Sequence, residues 1–248
     1  MIEYKITDVS NHEDAIKKLF YKQPFGRYLS DRKIEKSGAI TYEWNRLIEY
    51  SKTATLILAI KDKTEVIGII GFHFSEFDTD VFQKRMAFLQ YFIVEEGDIT
   101  VERELAQHLL NKFHEWVKNN DIQVVITKLA SQYFSPVFVL QKNGYTLYEN
   151  LTFQSLDISN ENVNAPYKDI EYRYAQESDK ETLKKIALSN TFSKSHFYLD
   201  TDFPVDKIDL MYAPRIENAL KSDQKIVIVE DDLKIAGVFI YDIVDYTA

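Results

Sequence analysis

The chain has 248 residues, of which 45% are hydrophobic and 28% charged, so it is a globular chain long enough for one large core or two ordinary ones. It has no cysteine, which excludes disulfides and cysteine-based zinc sites. Its net charge of −9 disfavours nucleic acid as a partner. No apolar run approaches the roughly 18 residues of a membrane span, so we expect a cytoplasmic protein without a membrane partner.

The first part of the chain predicts an opening strand, two helices and a meander. Residues 2–6 alternate like a half-buried strand, and helices are predicted at 13–20 and 42–50. Three strand patterns follow, with a tight polar turn between the first two, which is typical of an antiparallel meander. These strand patterns lie at Thr55–Ala59, Glu65–Phe74 and Ala87–Val94.

The next segments complete a domain over residues 1–158. Apolar residues recur at helical spacing from Leu105 to Val117, and a buried strand is predicted at Ile122–Thr127. A helix begins at Ser135-Pro136 and ends before Gly144, and a last strand is predicted at Tyr145–Leu156. The predicted fold class is α/β with a mixed sheet, in the order β-α-α-β-β-β-α-β-α-β.

After this domain the opening order begins again. Residues 159–168 are polar and rich in turn formers, which indicates a linker. Residues 169–248 then repeat strand, helix, helix, strand and strand, with the last strand at Ile235–Ile240. We therefore predict a tandem duplication whose second copy is partial.

The element order resembles that of the GNAT superfamily of acyl-CoA N-acyltransferases. Ser135–Leu147 resembles the late helix and Gly-aromatic turn of that family, and Gly68, Gly71 and Gly237 resemble its glycines in the third strand. Ser193–Pro204 and Met211–Asn218 resemble the substrate-side segment of tandem enzymes similar to TDP-fucosamine acetyltransferase. The resemblance implies acetyl transfer from acetyl-CoA to a small amine, with an amino sugar as one acceptor.

By the same resemblance, the acetyl-CoA pyrophosphate would lie on backbone N–H groups at the start of the helix after the meander. The family has Arg/Gln-x-x-Gly-x-Gly/Ala there, whereas this chain has Val101–Ala106, in which only Ala106 agrees. Glu102 and Glu104 add bulk and negative charge. Leu140 stands where the family often has the tyrosine that protonates the leaving thiolate. We therefore expect a degenerate cofactor loop in the first domain.

The strand Ala87–Val94 would face the thioester. We expect the cofactor to contact this strand's end and the helix after it, at Phe92, Ile93, Val94 and Ala106. The candidate catalytic groups are polar residues at or just past the strand, which could bind or deprotonate an amine or could simply face solvent. They are Gln90, Glu95 and Glu96.

Histidines offer further candidates. His73 lies in an apolar strand and is either a base or a hydrogen-bonded core residue. His196, Asp200 and Tyr212 would line the acceptor pocket by the resemblance, although packing between the two copies explains His196 equally well. His108 and His114 lack the i, i+4 spacing of a zinc pair, so we expect no metal.

Two functions stay open at this point: an acetyltransferase relative, or a catalytically silent GNAT-fold module for binding or interaction. The second copy stops at Ala248 before its cofactor strand, so the chain is either non-catalytic there or a fragment of a longer protein. The strand Lys234–Tyr241 would be an exposed edge, and we expect the first domain or a second chain, as in a homodimer, to cover it.

Overall fold

The computed structural model describes residues 1–22, 34–151, 171–189, 195–222, 224–231 and 234–241. It forms two compact units, one built on Met1–Leu147 and one on Tyr148–Asp245. The predicted linker at 159–168, and with it the predicted domain boundaries, lies outside the described residues. The boundaries therefore stay predictions.

The described residues of the first unit form five strands and five α-helices. The strands are β1 (Ile2–Ile6), β2 (Thr55–Lys61), β3 (Glu65–Phe74), β4 (Met86–Val94) and β5 (Val124–Thr127), and the helices are α1 (Glu13–Lys22), α2 (Lys36–Ser51), α3 (Glu76–Phe82), α4 (Ile99–Asn119) and α5 (Phe134–Lys142). The sheet order is β1-β2-β3-β4-β5, antiparallel except for the parallel pair β4–β5. The predicted α/β class with a mixed sheet is confirmed.

Helices cover both faces of this sheet, which explains the nearly continuous apolar runs in β2, β3 and β4. On one face, α4 and α5 pack through residues such as Phe113 and Val139 against Phe72 and Phe92. On the other face, α1 and α2 pack through Leu19 and other side chains against the sheet. The sheet is therefore held between two separate hydrophobic cores.

Two features of the first unit differ from the sequence prediction. The helix α3 lies in the β3–β4 connection, where we expected only a loop, and Ser75 caps its start by accepting a hydrogen bond from the Asp78 N–H. The predicted strand Tyr145–Leu156 is absent from its described part, residues 145–151. Leu147 and Leu151 are 61% and 50% exposed there, so the apolar pattern has no sheet to pack on. The remainder of that segment lies outside the described residues.

The second unit resembles the opening of the first, except that a one-turn helix stands between its two longer helices. Its elements are β6 (Glu171–Tyr174), α6 (Lys180–Ala187), α7 (His196–Leu199), α8 (Val205–Lys221), β7 (Lys225–Asp231) and β8 (Lys234–Tyr241). The three strands form an antiparallel sheet in the order β6-β7-β8. The helix α8 buries Ile208, Met211 and Ile216, as its apolar spacing predicts.

The two sheets share one irregularity. In the first, Ala59 pairs with Gly68 and Ile60 with Val66, which leaves Ile67 as an extra residue. In the second, Val229 pairs with Gly237 and Glu230 with Ile235, which leaves Ala236 as an extra residue. Each sheet thus has a β-bulge just before a glycine of its third strand.

Among the described helices, none has the length and apolar character needed to cross a membrane.

Candidate active site

A second β-bulge interrupts β4 at Gln90. Leu89 pairs with Phe72 and Tyr91 pairs with Gly71, so Gln90 is an extra residue opposite β3. Leu89 belongs to the core under α4, whereas Tyr91 belongs to the core under α1 and α2. The extra residue lets Gln90 and Tyr91, although consecutive, line the same groove beside α2. Bulges of this kind occur beside active sites because they redirect side chains.

The strand β4 separates from β5 at the same place. The parallel pairing runs from Met86–Val124 to Leu89–Thr127 and stops there. Beyond it, no strand of the described chain pairs with Gln90–Val94 on the edge that faces away from β3. The backbone polar groups of Gln90–Ile93 on that edge thus have no strand partner among the described residues and could bind a ligand.

The groove that Gln90 and Tyr91 line, which we call the α2 groove, has a volume of about 490 Å³. That is within the usual range for small-molecule sites. Three elements contribute to its wall, which is rich in aromatic rings. The lining residues are Tyr42, Asn45, Arg46, Glu49 and Tyr50 from α2, His73 from β3, and Gln90 and Tyr91 from β4.

A tyrosine–histidine pair lies in the α2 groove. The Tyr50 hydroxyl is 3.0 Å from Nδ1 of His73, and the His73 ring stacks on Phe88 with a centroid distance of 5.7 Å. Burial lowers the pKa of His73 although the charge of Asp78 opposes the shift, so its imidazole is neutral at pH 7 and able to accept a proton. Burial raises the pKa of Tyr50 far above its usual value, so the phenol keeps its proton.

A buried carboxylate lies next to this groove. Glu43 on α2 is only 6% exposed, and both its oxygens are 3.4 Å from Nη1 of Arg46. Burial, with a contribution from Glu43, raises the pKa of Tyr91 to about 12 and that of Tyr133 still further. Sequence analysis missed Glu43 because a glutamate in an amphipathic helix normally faces solvent.

The predicted catalytic residues Glu95 and Glu96 lie past the end of β4. The Glu95 carboxylate forms an ion pair with Lys22, and its backbone N–H donates to the Ile67 carbonyl at 2.7 Å. Glu96 is exposed, and its charge contributes to the raised pKa of Tyr133. Of the three predicted catalytic residues, only Gln90 lines the α2 groove, and a catalytic role for any of them stays a prediction.

Carboxylates occupy the N-terminus of α4, where the resemblance would place a pyrophosphate. Asp98 accepts hydrogen bonds from the N–H groups of Thr100 and Val101 at 2.9 and 3.2 Å. Glu102 accepts from the Gly97 N–H at 2.6 Å and from the Ser135 hydroxyl at 2.7 Å. Three backbone N–H groups that could hold a phosphate thus already have anionic partners within the chain.

The residues predicted to bind the cofactor have buried side chains. Phe92, Val94 and Ala106 belong to the core under α4, and Ile93 belongs to the core under α1 and α2. Only the backbone of the β4 residues could therefore contact a ligand. Arg103, the one cation of Val101–Ala106, stacks its guanidinium 3.9 Å from the Phe138 ring centre.

In the second unit, His196 and Tyr212 lie on either side of Ser195. The Tyr212 hydroxyl donates to Oγ of Ser195 at 2.7 Å, and Glu149 binds both the N–H and Nδ1 of His196 at 3.1 and 2.9 Å. Asp200 accepts the Asp202 N–H at 3.0 Å within its own turn. These contacts lie within the second unit, and a substrate role for the three predicted residues stays a prediction.

Within the described ranges, no group of three or more His, Asp or Glu side chains is arranged to hold a metal ion.

No protein-family model matches the chain, and no curated protein does. Solved structures resemble it at low identity. An acetyltransferase of the GNAT family from Staphylococcus aureus Mu50 is 15% identical over 72% of this chain and 89% of its own, with a TM-score of 0.43. An aminoglycoside N-acetyltransferase in complex with CoA is 14% identical over 63% and 95%, with a TM-score of 0.41. A transcriptional regulator from Bacillus halodurans C-125 is 12% identical over 63% and 100%, with a TM-score of 0.47. Matches at this level carry no inference about activity, substrate or partner.

Proposed function

We propose that the chain is an N-acyltransferase that moves an acetyl group from acetyl-CoA to a small amine. One observation carries the proposal: the bulge at Gln90 coincides with the point where β4 leaves β5. An acyl donor could reach the backbone edge of Gln90–Ile93, and an acceptor could reach the same strand from the α2 groove. The element order from β1 to α5, with its resemblance to the GNAT superfamily, supports this assignment.

The reaction would require positioning more than side-chain chemistry. Backbone N–H groups within Gln90–Ile93 would polarise the thioester carbonyl, since fixed donors stabilise the charge that develops on its oxygen. The Gln90 amide would hold the acceptor nitrogen from the groove side. The acceptor must react as a neutral amine, so a group in the groove has to receive a proton from its ammonium form.

A catalytically silent binding module is the second candidate, and one observation favours it. Asp98 and Glu102 fill the N-terminus of α4 with negative charge, which opposes the binding of a pyrophosphate there. If the chain binds acetyl-CoA, the β4 edge would have to supply most of the affinity.

The second unit supports a finer proposal, that the chain arose by tandem duplication. The shared order of elements and the bulge before Gly68 and Gly237 favour this reading. The resemblance of 193–204 and 211–218 to enzymes similar to TDP-fucosamine acetyltransferase suggests an amino sugar as acceptor. Residues 193–194 of that segment lie outside the described residues.

Calorimetric titration of the 248-residue chain with acetyl-CoA tests the enzyme proposal directly. We expect a dissociation constant in the micromolar to low millimolar range, and release of free CoA thiol when a primary amine is added. Reactions without amine give the background of hydrolysis. If no heat is detected at millimolar acetyl-CoA, the acyltransferase assignment is wrong for this chain. The catalytically silent binding module then remains as the candidate function.

A further inference from the structure

Building on the proposed function, we propose that the α2 groove binds its acceptor as a primary amine carried on a flat apolar group, and that Tyr50 and His73 receive the proton of that amine.

The lining of the groove indicates the class of acceptor. The rings of Tyr42, Tyr50 and Tyr91 offer the kind of surface on which a flat apolar body packs. The Tyr50 and Tyr91 rings are 5.2 Å apart between centroids, which forms a continuous aromatic wall. Aromatic faces also attract an ammonium group, and Glu49, which forms an ion pair with Lys52 at 2.6 Å, adds a carboxylate to the lining.

The cation Arg46 limits the choice of amine. It lines the same groove, and its guanidinium lies 5.7 Å from the centre of the Tyr42 ring. A chain with several ammonium groups would bring like charges close to this guanidinium, which costs binding energy. The groove therefore favours one amine on an apolar body over a polyamine.

The contacts of His73 suit it to receive a proton. Phe88 stacks on its ring and Tyr50 binds Nδ1, so the orientation of the imidazole is fixed. The titratable groups that face it are Tyr50 from α2 and Asp78 from α3, and the groove adds Arg46, Glu49 and Tyr91. Asp78 is buried, and its Oδ1 has no hydrogen-bond partner among the described residues. Its charge would stabilise the imidazolium once formed.

The ammonium of the acceptor gives one proton to the Tyr50 oxygen while the Tyr50 hydroxyl gives its own proton to Nδ1 of His73. The neutral amine then forms a C–N bond to the acetyl carbonyl carbon, and the C–S bond breaks. The second proton of the nitrogen goes to the leaving thiolate, which becomes the thiol of CoA. The imidazolium of His73 returns its proton to solvent.

Calorimetry without acetyl-CoA tests the class of acceptor, so failure of the acyltransferase assignment would not affect it. We expect phenethylamine to bind at least about tenfold more tightly than spermidine, a difference of roughly 1.4 kcal/mol. Tyr50→Phe keeps the ring and should bind phenethylamine like the parent, whereas Tyr50→Ala should lose most of the affinity. Tyr172→Ala removes an exposed ring from the second unit and serves as a control. Tighter binding of spermidine, or no binding of phenethylamine, overturns the proposed class.

Nuclear magnetic resonance titration of His73 and the pH dependence of kcat test the proton acceptor. Bound phenethylamine should lower the pKa of His73 in the parent, because its positive charge lies close to the imidazole, but not in Tyr50→Ala. His73→Gln and Tyr50→Phe should each lower kcat by about a hundredfold with little change in KM, and His73→Gln should lose the acidic limb of the profile. An unchanged kcat and pH profile in His73→Gln would overturn the proton transfer through Tyr50 to His73, while acyl transfer itself would stand. A His73 pKa that does not change when the amine binds would overturn it as well.

Discussion

Ser135 at the start of α5 donates its hydroxyl to the Glu102 carboxylate of α4 at 2.7 Å. Ser135 is only 1% exposed, and the other carboxylate oxygen accepts the Gly97 N–H at 2.6 Å. The Glu102 side chain thus links the turn before α4 to the helix α5 by hydrogen bonds. The same side chain places a negative charge where a phosphate of an acyl donor would otherwise lie.

Replacing Glu102 tests this double role. Glu102→Gln should destabilise the first unit by about 1 kcal/mol, since a charged acceptor at a helix N-terminus is lost. It should also raise the affinity for acetyl-CoA severalfold because one opposing charge is gone. Thermal unfolding and calorimetry measure the two effects. Glu104→Gln removes an equal charge from an exposed position of the same turn. An equal gain in acetyl-CoA affinity in both variants would show that the position of Glu102 is irrelevant.

Gly71 is required where β3 passes under Tyr50. A Cβ at this position would overlap Cδ2 of Leu56 and lie 3.2 Å from Cε1 of Tyr50. Gly71→Ala should therefore destabilise the unit by about 1–3 kcal/mol and displace Tyr50 from His73. Gly38 on α2 has no atom within 4 Å of an added Cβ, so Gly38→Ala should stabilise by about 0.5–1 kcal/mol. Urea unfolding measures the free energy of unfolding of both variants. A Gly71→Ala variant as stable as the parent would contradict the prediction.

The ion cluster of the second unit predicts an acid dependence. Arg173 donates to both oxygens of Asp179 at 2.7 and 2.8 Å and to Glu230 at 3.0 Å. Arg173 lowers the pKa of Asp179 from 3.8 to about 2. The folded pKa lies below the unfolded one, so this stabilisation is complete above pH 3.8 and is lost as the pH falls through 2. Arg173→Gln should flatten the stability curve between these limits, as measured by circular dichroism of β6–β8 unfolding. An unchanged slope would contradict the assignment.

Two half-buried histidines predict a loss of stability on acidification for the first unit too, but at a higher pH. Burial lowers the pKa of His73 and of His114, whose Nε2 is 3.1 Å from the Tyr145 hydroxyl. The unfolded chain therefore binds these protons first, and stability falls as the pH drops below 6.5. His114→Gln should reduce the loss of stability between pH 7 and pH 5 in urea titrations. A loss as large as that of the parent would rule out His114 as a contributor.

Periodicity and end signals predicted most of the elements. The helix Ile99–Asn119 follows from Leu105, Leu109 and Phe113 at helical spacing, and Ser135-Pro136 marks the start of α5 within one residue. The helix α3 was missed, although Ser75 followed by Asp78 three residues later resembles a capping pair. Its seven residues are too few for a periodic signal to emerge.

The candidate site was predicted only in part. Gln90 was chosen as a polar group on the right strand, but its bulge depends on the register with Gly71 and Phe72, which a single strand does not reveal. His73 and Tyr50 are 23 residues apart, and only the pairing of the sheet with α2 brings them together. The burial of Glu43 could not be predicted from the sequence because it results from packing between elements.

Because of the bulge at Gln90, single-residue deletions at different positions of β4 would have different effects on the sheet. Because Gln90 is a supernumerary residue, a chain that lacked it would still point Leu89 and Tyr91 to the faces they now occupy and would pair regularly with β3. Loss of Phe92, which lies beyond the bulge, would instead move Ile93 and Val94 to the opposite faces of the sheet. A single codon deletion could therefore erase the candidate site and spare the sheet. Homologues that have lost the activity would be recognised by a β4 one residue shorter, with an intact hydrophobic core.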